Sequence, residues 1–132
     1  MRTAAASKNN NPRRRILLVD DKPEILDIFE AFLKIDGFEV LCATNYNDAL
    51  AIFEEQHIDL VVTDYSMPRI HGIILTDMVK TARPDVPVIM ITAYKTDEML
   101  ANAHRRGADL VLEKPFEYEA LYDAIRKLLH LN

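Results

Sequence analysis

With a single cysteine, Cys42, in 132 residues, the chain cannot form an internal disulfide. Its apolar neighbours suit a buried thiol in a cytoplasmic protein. Long hydrophobic runs are also missing: no stretch approaches the ~18 apolar residues that cross a bilayer. Arg13-Arg14-Arg15 followed by Ile16–Val19 imitates the start of a secretory signal, but Asp20 and Asp21 end the apolar run after four residues, short of an h-region. Acid is absent from residues 1–15, which carry Arg2, Lys8, Arg13, Arg14 and Arg15; the remainder holds 11 basic against 21 acidic residues, a net −10. An acidic body argues against direct nucleic-acid binding. The basic, Ala/Ser/Asn-rich head reads as a flexible tail over residues 1–14, with at most a weak role in steering anionic partners. There is no repeat and no internal linker, so residues 15–132 form one domain, long enough to bury a real core. His57, His71, His104 and His130 lack zinc spacing and read as surface or capping residues, with His57 and His71 each seven residues from Asp64.

What is present is an alternation. Five short apolar runs, "ILLVD" (16–20), "EVLCA" (39–43), "DLVVTD" (59–64), "VPVIMIT" (86–92) and "DLVLEK" (109–114), read as strands. Val, Ile and Leu without polar alternation suit a parallel sheet covered on both faces, and the less apolar second run suits an edge. Helical periodicity lies between them. Ile25, Ile28, Phe29, Phe32 and Ile35 form a stripe over 24–35, and Ala49, Leu50 and Phe53 one over 47–56 with Asn47 as N-cap. Further helices are expected over 72–82, 96–106 and about 117–130. Alternating βα units with short connections predict an α/β domain, a doubly wound (βα)5 sheet with right-handed crossovers and helices on both faces.

Ligands of open α/β sheets bind beyond the carboxyl ends of the strands. The polar residues expected there are Asp20 and Asp21 after strand 1, Asp64 after strand 3, Thr92 after strand 4 and Lys114 after strand 5. Carboxylates about 4 Å apart repel by roughly 4 kcal/mol per pair at an effective dielectric of 20. A hard divalent cation such as Mg²⁺ relieves that repulsion, and a lysine and a threonine hydroxyl can pair with phosphoryl oxygen. The chemistry suggested is phosphoryl transfer onto Asp64. Each residue alone has a plainer reading: Asp20-Asp21 as the acidic N-terminus of a helix with Pro23 in its first turn, Asp64 as an Asx-turn residue, Thr92 as a strand end, Lys114-Pro115 as an exposed turn. Four strand ends supplying the residue types of one phosphate-and-metal site carry the argument.

At these residues the chain resembles the receiver domains of two-component response regulators over about residues 14–131. The motifs are "ILLVDD", "DLVVTDYSMP" with Gly72 after it, "VPVIMITA" and "LEKPF". The resemblance implies a flavodoxin-like sheet of strand order 2-1-3-4-5. It implies that Asp64 accepts a phosphoryl group from a sensor histidine kinase or a histidine phosphotransfer protein. Asp21 would bind Mg²⁺ directly, Asp20 would assist, often through water, and the Ser66 backbone carbonyl would add a ligand. Thr92 would be the switch hydroxyl and Lys114 the phosphate-pairing lysine, with Pro115 where the family often has a cis peptide bond. The family often carries Tyr or Phe three residues before the lysine. Here that position is Val111; Tyr94, two residues past Thr92, is a candidate gate of the site or of the kinase-facing surface and is not assigned the missing role.

A receiver catalyses only its own phosphorylation and dephosphorylation and signals by changing the surface of its fourth helix, fifth strand and fifth helix, to an unknown downstream protein or through a homodimer. The last helix adds to that expectation: its apolar residues cover about half its circumference, and the surplus around Tyr118, Tyr122 and Leu129 suits a protein–protein face. A haloacid-dehalogenase-type phosphatase also uses an aspartate after a parallel strand, but in D-x-D, whereas Tyr65 and Ser66 follow Asp64. An interaction module with an unused site is the other alternative. The chain suits a stand-alone receiver, a phosphorelay intermediate or the front part of a longer regulator.

Overall fold

The computed structural model describes residues 13–65 and 71–131, apart from the His71 side chain. Most of the basic head, the Ser66 carbonyl and the turn containing Met67 thus lie outside the described residues. Five strands, β1 (Arg15–Val19), β2 (Glu39–Ala43), β3 (Leu60–Asp64), β4 (Val88–Thr92) and β5 (Leu110–Glu113), alternate with α1 (Pro23–Ile35), α2 (Tyr46–Glu55), α3 (His71–Ala82), α4 (Asp97–Arg105) and α5 (Tyr118–Leu128). The strands are parallel and ordered β2-β1-β3-β4-β5. The expected (βα)5 architecture and strand order are therefore observed.

Side chains alternate across the sheet, and the core divides accordingly. Ile16, Leu18, Leu60, Val62, Ile89 and Ile91 meet α1 and α5 through Leu26, Leu33, Leu121 and Ile125. Leu17, Val19, Val61 and Val88 meet α2 and α3 through Ala49, Phe53, Leu75 and Val79. Val111 and Met90 join Ile73, Met99 and Ala103 in a smaller cluster under α4. β3 and β4 are buried throughout, whereas β2 is partly exposed and lies at an edge, as its composition predicts.

Three local expectations need correction. The N-cap of α2 is Asn45, not Asn47. Its Oδ1 accepts from Asp48 N–H at 2.8 Å while its Nδ2 donates to Asp48 Oδ2 at 2.9 Å, a reciprocal pair that Asn47 is too late in the chain to make. In α1 the buried residues are Leu26 and Leu33, with Phe29 half-buried, whereas Ile28, Phe32 and Ile35 stay 53%, 45% and 65% exposed. This helix carries two neighbouring apolar stripes, and the sheet takes the leucine one. The surplus on α5 is not a free face, because α5 packs on both the sheet and α1. Tyr122 and Leu129 are buried; Tyr118 stacks on Phe32 at 4.9 Å and donates its hydroxyl to Asp36 Oδ2 at 2.8 Å.

Candidate functional site

Backbone bonds of the sheet hold every strand end of the site in place. Asp20 N–H donates to Ala43 O at 3.2 Å, Tyr65 N–H to Ile91 O at 2.7 Å and Lys114 N–H to Thr92 O at 2.8 Å. Five sequence-predicted residues consequently reach the same edge. Asp20 and Asp64 are 5% and 6% exposed, and Asp21 beside them is open to solvent. Each of these acids offers a carboxylate oxygen within 4.8 Å of the others. Lys114 Nζ stands 3.7 Å from Asp20 Oδ2 and 3.8 Å from Asp64 Oδ2. These are ion-pair distances too long for good hydrogen bonds, so one ammonium is shared between two buried carboxylates. Lys114-Pro115 is cis.

Asp20-Asp21 do not cap α1 in the usual sense. The N-cap is Lys22, with no side-chain cap, and Pro23 occupies the first turn. Asp20 Oδ1 instead accepts from Lys22 N–H at 2.9 Å, which fixes one oxygen and leaves the other toward Lys114.

Burial is the main influence on both enclosed acids. It raises the Asp64 pKa above the ordinary 3.8; Lys114 opposes the rise, and the charges of Asp20 and Asp21 add to it. Asp20 is raised for the same reason, against the Lys22 N–H and Lys114. One lysine therefore under-compensates the cluster. Three oxygen donors with residual negative charge fit a hard divalent cation such as Mg²⁺. Among the described residues this is the one group of three or more His, Cys, Asp or Glu side chains placed to share an ion.

Thr92 arrives at the correct strand end, but its hydroxyl is engaged elsewhere. Oγ1 donates to Tyr94 O at 3.3 Å and accepts from Tyr94 N–H at 3.2 Å. Tyr94 is 80% exposed. Val111 is buried against Met90 and Met99, so no ring of β5 lies beneath the loop, and half-buried Tyr65 packs on that cluster instead.

Two of the four histidines, His57 and His104, have structural partners. His57 bonds Asp59 at 2.8 Å and His104 Nδ1 bonds Ala108 O at 3.0 Å. Arg105 stands in the last turn of α4 and Arg106 pairs with Asp77 at 3.5 Å. The Cys42 thiol is half-buried, and burial, aided by the Glu30 carboxylate, pushes its pKa up to about 12, which keeps it an inert thiol. Sequence reasoning passed over Glu113, whose Oε2 accepts from Lys95 N–H at 3.1 Å. The residue sits inside the "LEKPF" motif, but nothing in its spacing shows that it reaches across to the β4–α4 loop.

The response regulator receiver domain family matches residues 16–126. The regulatory protein AtoC of Escherichia coli K12 is 34% identical over 118 residues, covering 89% of this chain and 26% of its own length. A probable transcriptional regulator, ycf27, of Porphyridium aerugineum is 36% identical over 115 residues, covering 87% and 48%. The chain thus spans about a quarter to a half of these relatives. Among solved structures, a CheY-like receiver domain protein of Methanospirillum hungatei JF-1 superposes with TM-score 0.86 at 31% identity, covering 90% of this chain and 95% of its own. A receiver domain protein of Clostridium thermocellum gives 0.82 at 34%, covering 89% and 94%. With fold, strand order and acidic edge in place, the chain belongs to the response regulator receiver domain family.

Proposed function

We propose that this domain accepts a phosphoryl group on Asp64 from the phosphohistidine of a sensor histidine kinase or histidine phosphotransfer protein, with Mg²⁺ as cofactor. The observation that carries the reading is the shared lysine: Lys114 stands between Asp20 and Asp64 at 3.7 and 3.8 Å, beside an acid cluster it only partly neutralises. An Asp64 carboxylate oxygen attacks phosphorus, the P–N bond to the donor imidazole breaks, and that nitrogen takes the electron pair, so the imidazole leaves neutral with its proton on the other ring nitrogen. Asp20, Asp21 and Asp64, with the Ser66 carbonyl as a further ligand, would hold the Mg²⁺, which supplies positive charge to the phosphoryl oxygens. Lys114 pairs with a phosphoryl oxygen once Asp64 carries the acyl phosphate. Thr92 gives up its Tyr94 partners and donates to another oxygen, which moves the β4–α4 loop and alters the α4–β5–α5 surface. That surface would meet a downstream protein or a second copy of the chain in the cytoplasm; the regulatory names of the relatives suit such a relay. Among the described residues no helix is long and apolar enough to cross a membrane.

Incubation with Mg²⁺ and acetyl phosphate, followed by intact mass and peptide mapping, tests the proposal. One added phosphoryl group, located on Asp64 and absent when the metal is chelated, is the expected result. No addition, or a group on another residue, overturns it. Lys114→Ala should still label, but roughly 10²-fold more slowly, the usual cost of losing one preorganised charged donor. A single-turnover time course under the same conditions measures that ratio.

A further inference from the structure

The Thr92 hydroxyl has one proton, and it is directed to Tyr94 O, while the same oxygen accepts from Tyr94 N–H. The hydroxyl therefore serves a group on Asp64 only by giving up its bond to Tyr94 O. Both bonds, at 3.3 and 3.2 Å, are long and weak. The firmer tie on this loop comes from the neighbouring strand. Glu113, the register partner of Thr92 on β5, extends past it, and its carboxylate accepts from Lys95 N–H at 3.1 Å. An ionised acceptor makes this contact charge-assisted. It holds the residue next to Tyr94 immediately before the Thr96 cap of α4, whose hydroxyl accepts from Met99 N–H at 3.1 Å.

We propose that Glu113 is a positioning residue that latches the β4–α4 loop in its resting conformation, and that release of this latch is part of what phosphorylation of Asp64 must achieve. The inference rests on the phosphoacceptor reading for its link to Asp64, but the latch itself is a contact of the unmodified chain. When it opens, the loop can carry the exposed Tyr94 ring further into the cleft of about 550 Å³ that it already lines with Tyr65, Met99 and Asn102. A ligand that binds only the released state binds more tightly when the latch is removed, because a larger fraction of the protein is already competent.

The chain contains no tryptophan, so Tyr94→Trp places a single fluorescent probe on the loop. In that background, Glu113→Leu removes the acceptor and Glu113→Gln retains a carbonyl oxygen. The readings are acrylamide quenching of the indole without ligand and the half-saturating concentration of beryllofluoride with Mg²⁺. For Glu113→Leu, quenching without ligand should fall by about 1.5-fold. Its beryllofluoride midpoint should drop about five-fold, the net contribution of one typical intramolecular hydrogen bond. Glu113→Gln should stay within about two-fold of the parent, because a weaker acceptor still closes the latch. Glu113→Ala replaces the leucine variant if that protein does not fold.

Coincidence of the leucine variant with the parent in both readings overturns the latch. So does an equal shift of the leucine and glutamine variants, which would mean that Glu113 acts by its charge on neighbouring Lys114. Acetyl phosphate labelling of the Tyr94→Trp parent separates the two proposals. A parent that does not label overturns the phosphoacceptor reading, whereas a parent that labels but shows either negative result above overturns the latch alone.

Discussion

Asp64→Asn should eliminate phosphoryl labelling and, in metal-free buffer, make the chain more stable than wild type. The first effect is loss of the nucleophile: a neutral amide has no charged oxygen with which to attack phosphorus. The second follows from the burial of the carboxylate. Asp64 is 6% exposed, and its pKa is raised chiefly by that burial, with Asp20 and Asp21 adding and Lys114 subtracting. Between the ordinary 3.8 and the raised folded value, the folded chain binds more protons than the unfolded chain, so stability falls as pH rises through that window. At pH 7 the wild type carries the full cost of a buried, under-compensated charge, and the asparagine variant does not. We expect a gain of about 1 kcal/mol, or roughly 3–5 °C in Tm, in the presence of a chelator. The gain should shrink on acidification as Asp64 of the wild type protonates. Melts at pH 7 and at successively lower pH down to the ordinary 3.8 measure both points. A variant that melts at or below wild type at pH 7 would mean that the Lys114 pairing outweighs burial.

The same balance explains why the site was legible in the sequence. A parallel sheet delivers the carboxyl ends of all its strands to one edge, so Asp20, Asp21, Asp64, Thr92 and Lys114 could be brought together from strand assignment alone. Strands such as "DLVVTD" are unambiguous because both faces of β3 are buried and no polar alternation interrupts them.

Helices were less transparent wherever more than one phase was apolar. In α1 the stripe of Ile25, Ile28, Phe29, Phe32 and Ile35 is as regular as the one containing Leu26 and Leu33; which of them the sheet takes depends on how the helix is rotated, and periodicity does not report rotation. The surplus on α5 has a related origin. Tyr118 serves a second neighbour, α1, through Phe32, and Tyr122 meets Phe38 in the connection from α1 to β2, and a one-dimensional pattern does not count neighbours. Contacts made by a long side chain across strands, such as Glu113 to the Lys95 N–H, lie beyond any spacing rule.

Gly72→Ala should be the most damaging single-methyl addition in the described part of the chain. Gly72 lies in the first turn of α3, where the helix backbone closes against the end of β3. A Cβ built there overlaps the Asp64 carbonyl oxygen and lies 2.7 Å from Tyr65 O and 2.9 Å from Tyr65 Cα. All three neighbours are backbone, so no side chain can turn aside; either α3 or the end of β3 must shift, in an interior packed too densely to absorb the displacement. Thr76 Oγ1 also donates to Gly72 O at 2.8 Å, which ties the same turn in place. The expected cost is about 3 kcal/mol or more, a large share of a typical domain's stability of roughly 5–15 kcal/mol. Because the carbonyl displaced belongs to Asp64 itself, whatever folded protein survives should also label more slowly. Gly107→Ala is the informative contrast. Its φ of 109° strains any L-residue, but the atom its Cβ meets, at 2.6 Å, is Cγ of the Lys80 side chain and not backbone, so about 1–2 kcal/mol is expected, with labelling unchanged. Urea denaturation of both variants, with time courses of acetyl phosphate labelling, tests the pair. Equal losses of stability would show that the β3–α3 junction yields more easily than its backbone contacts imply.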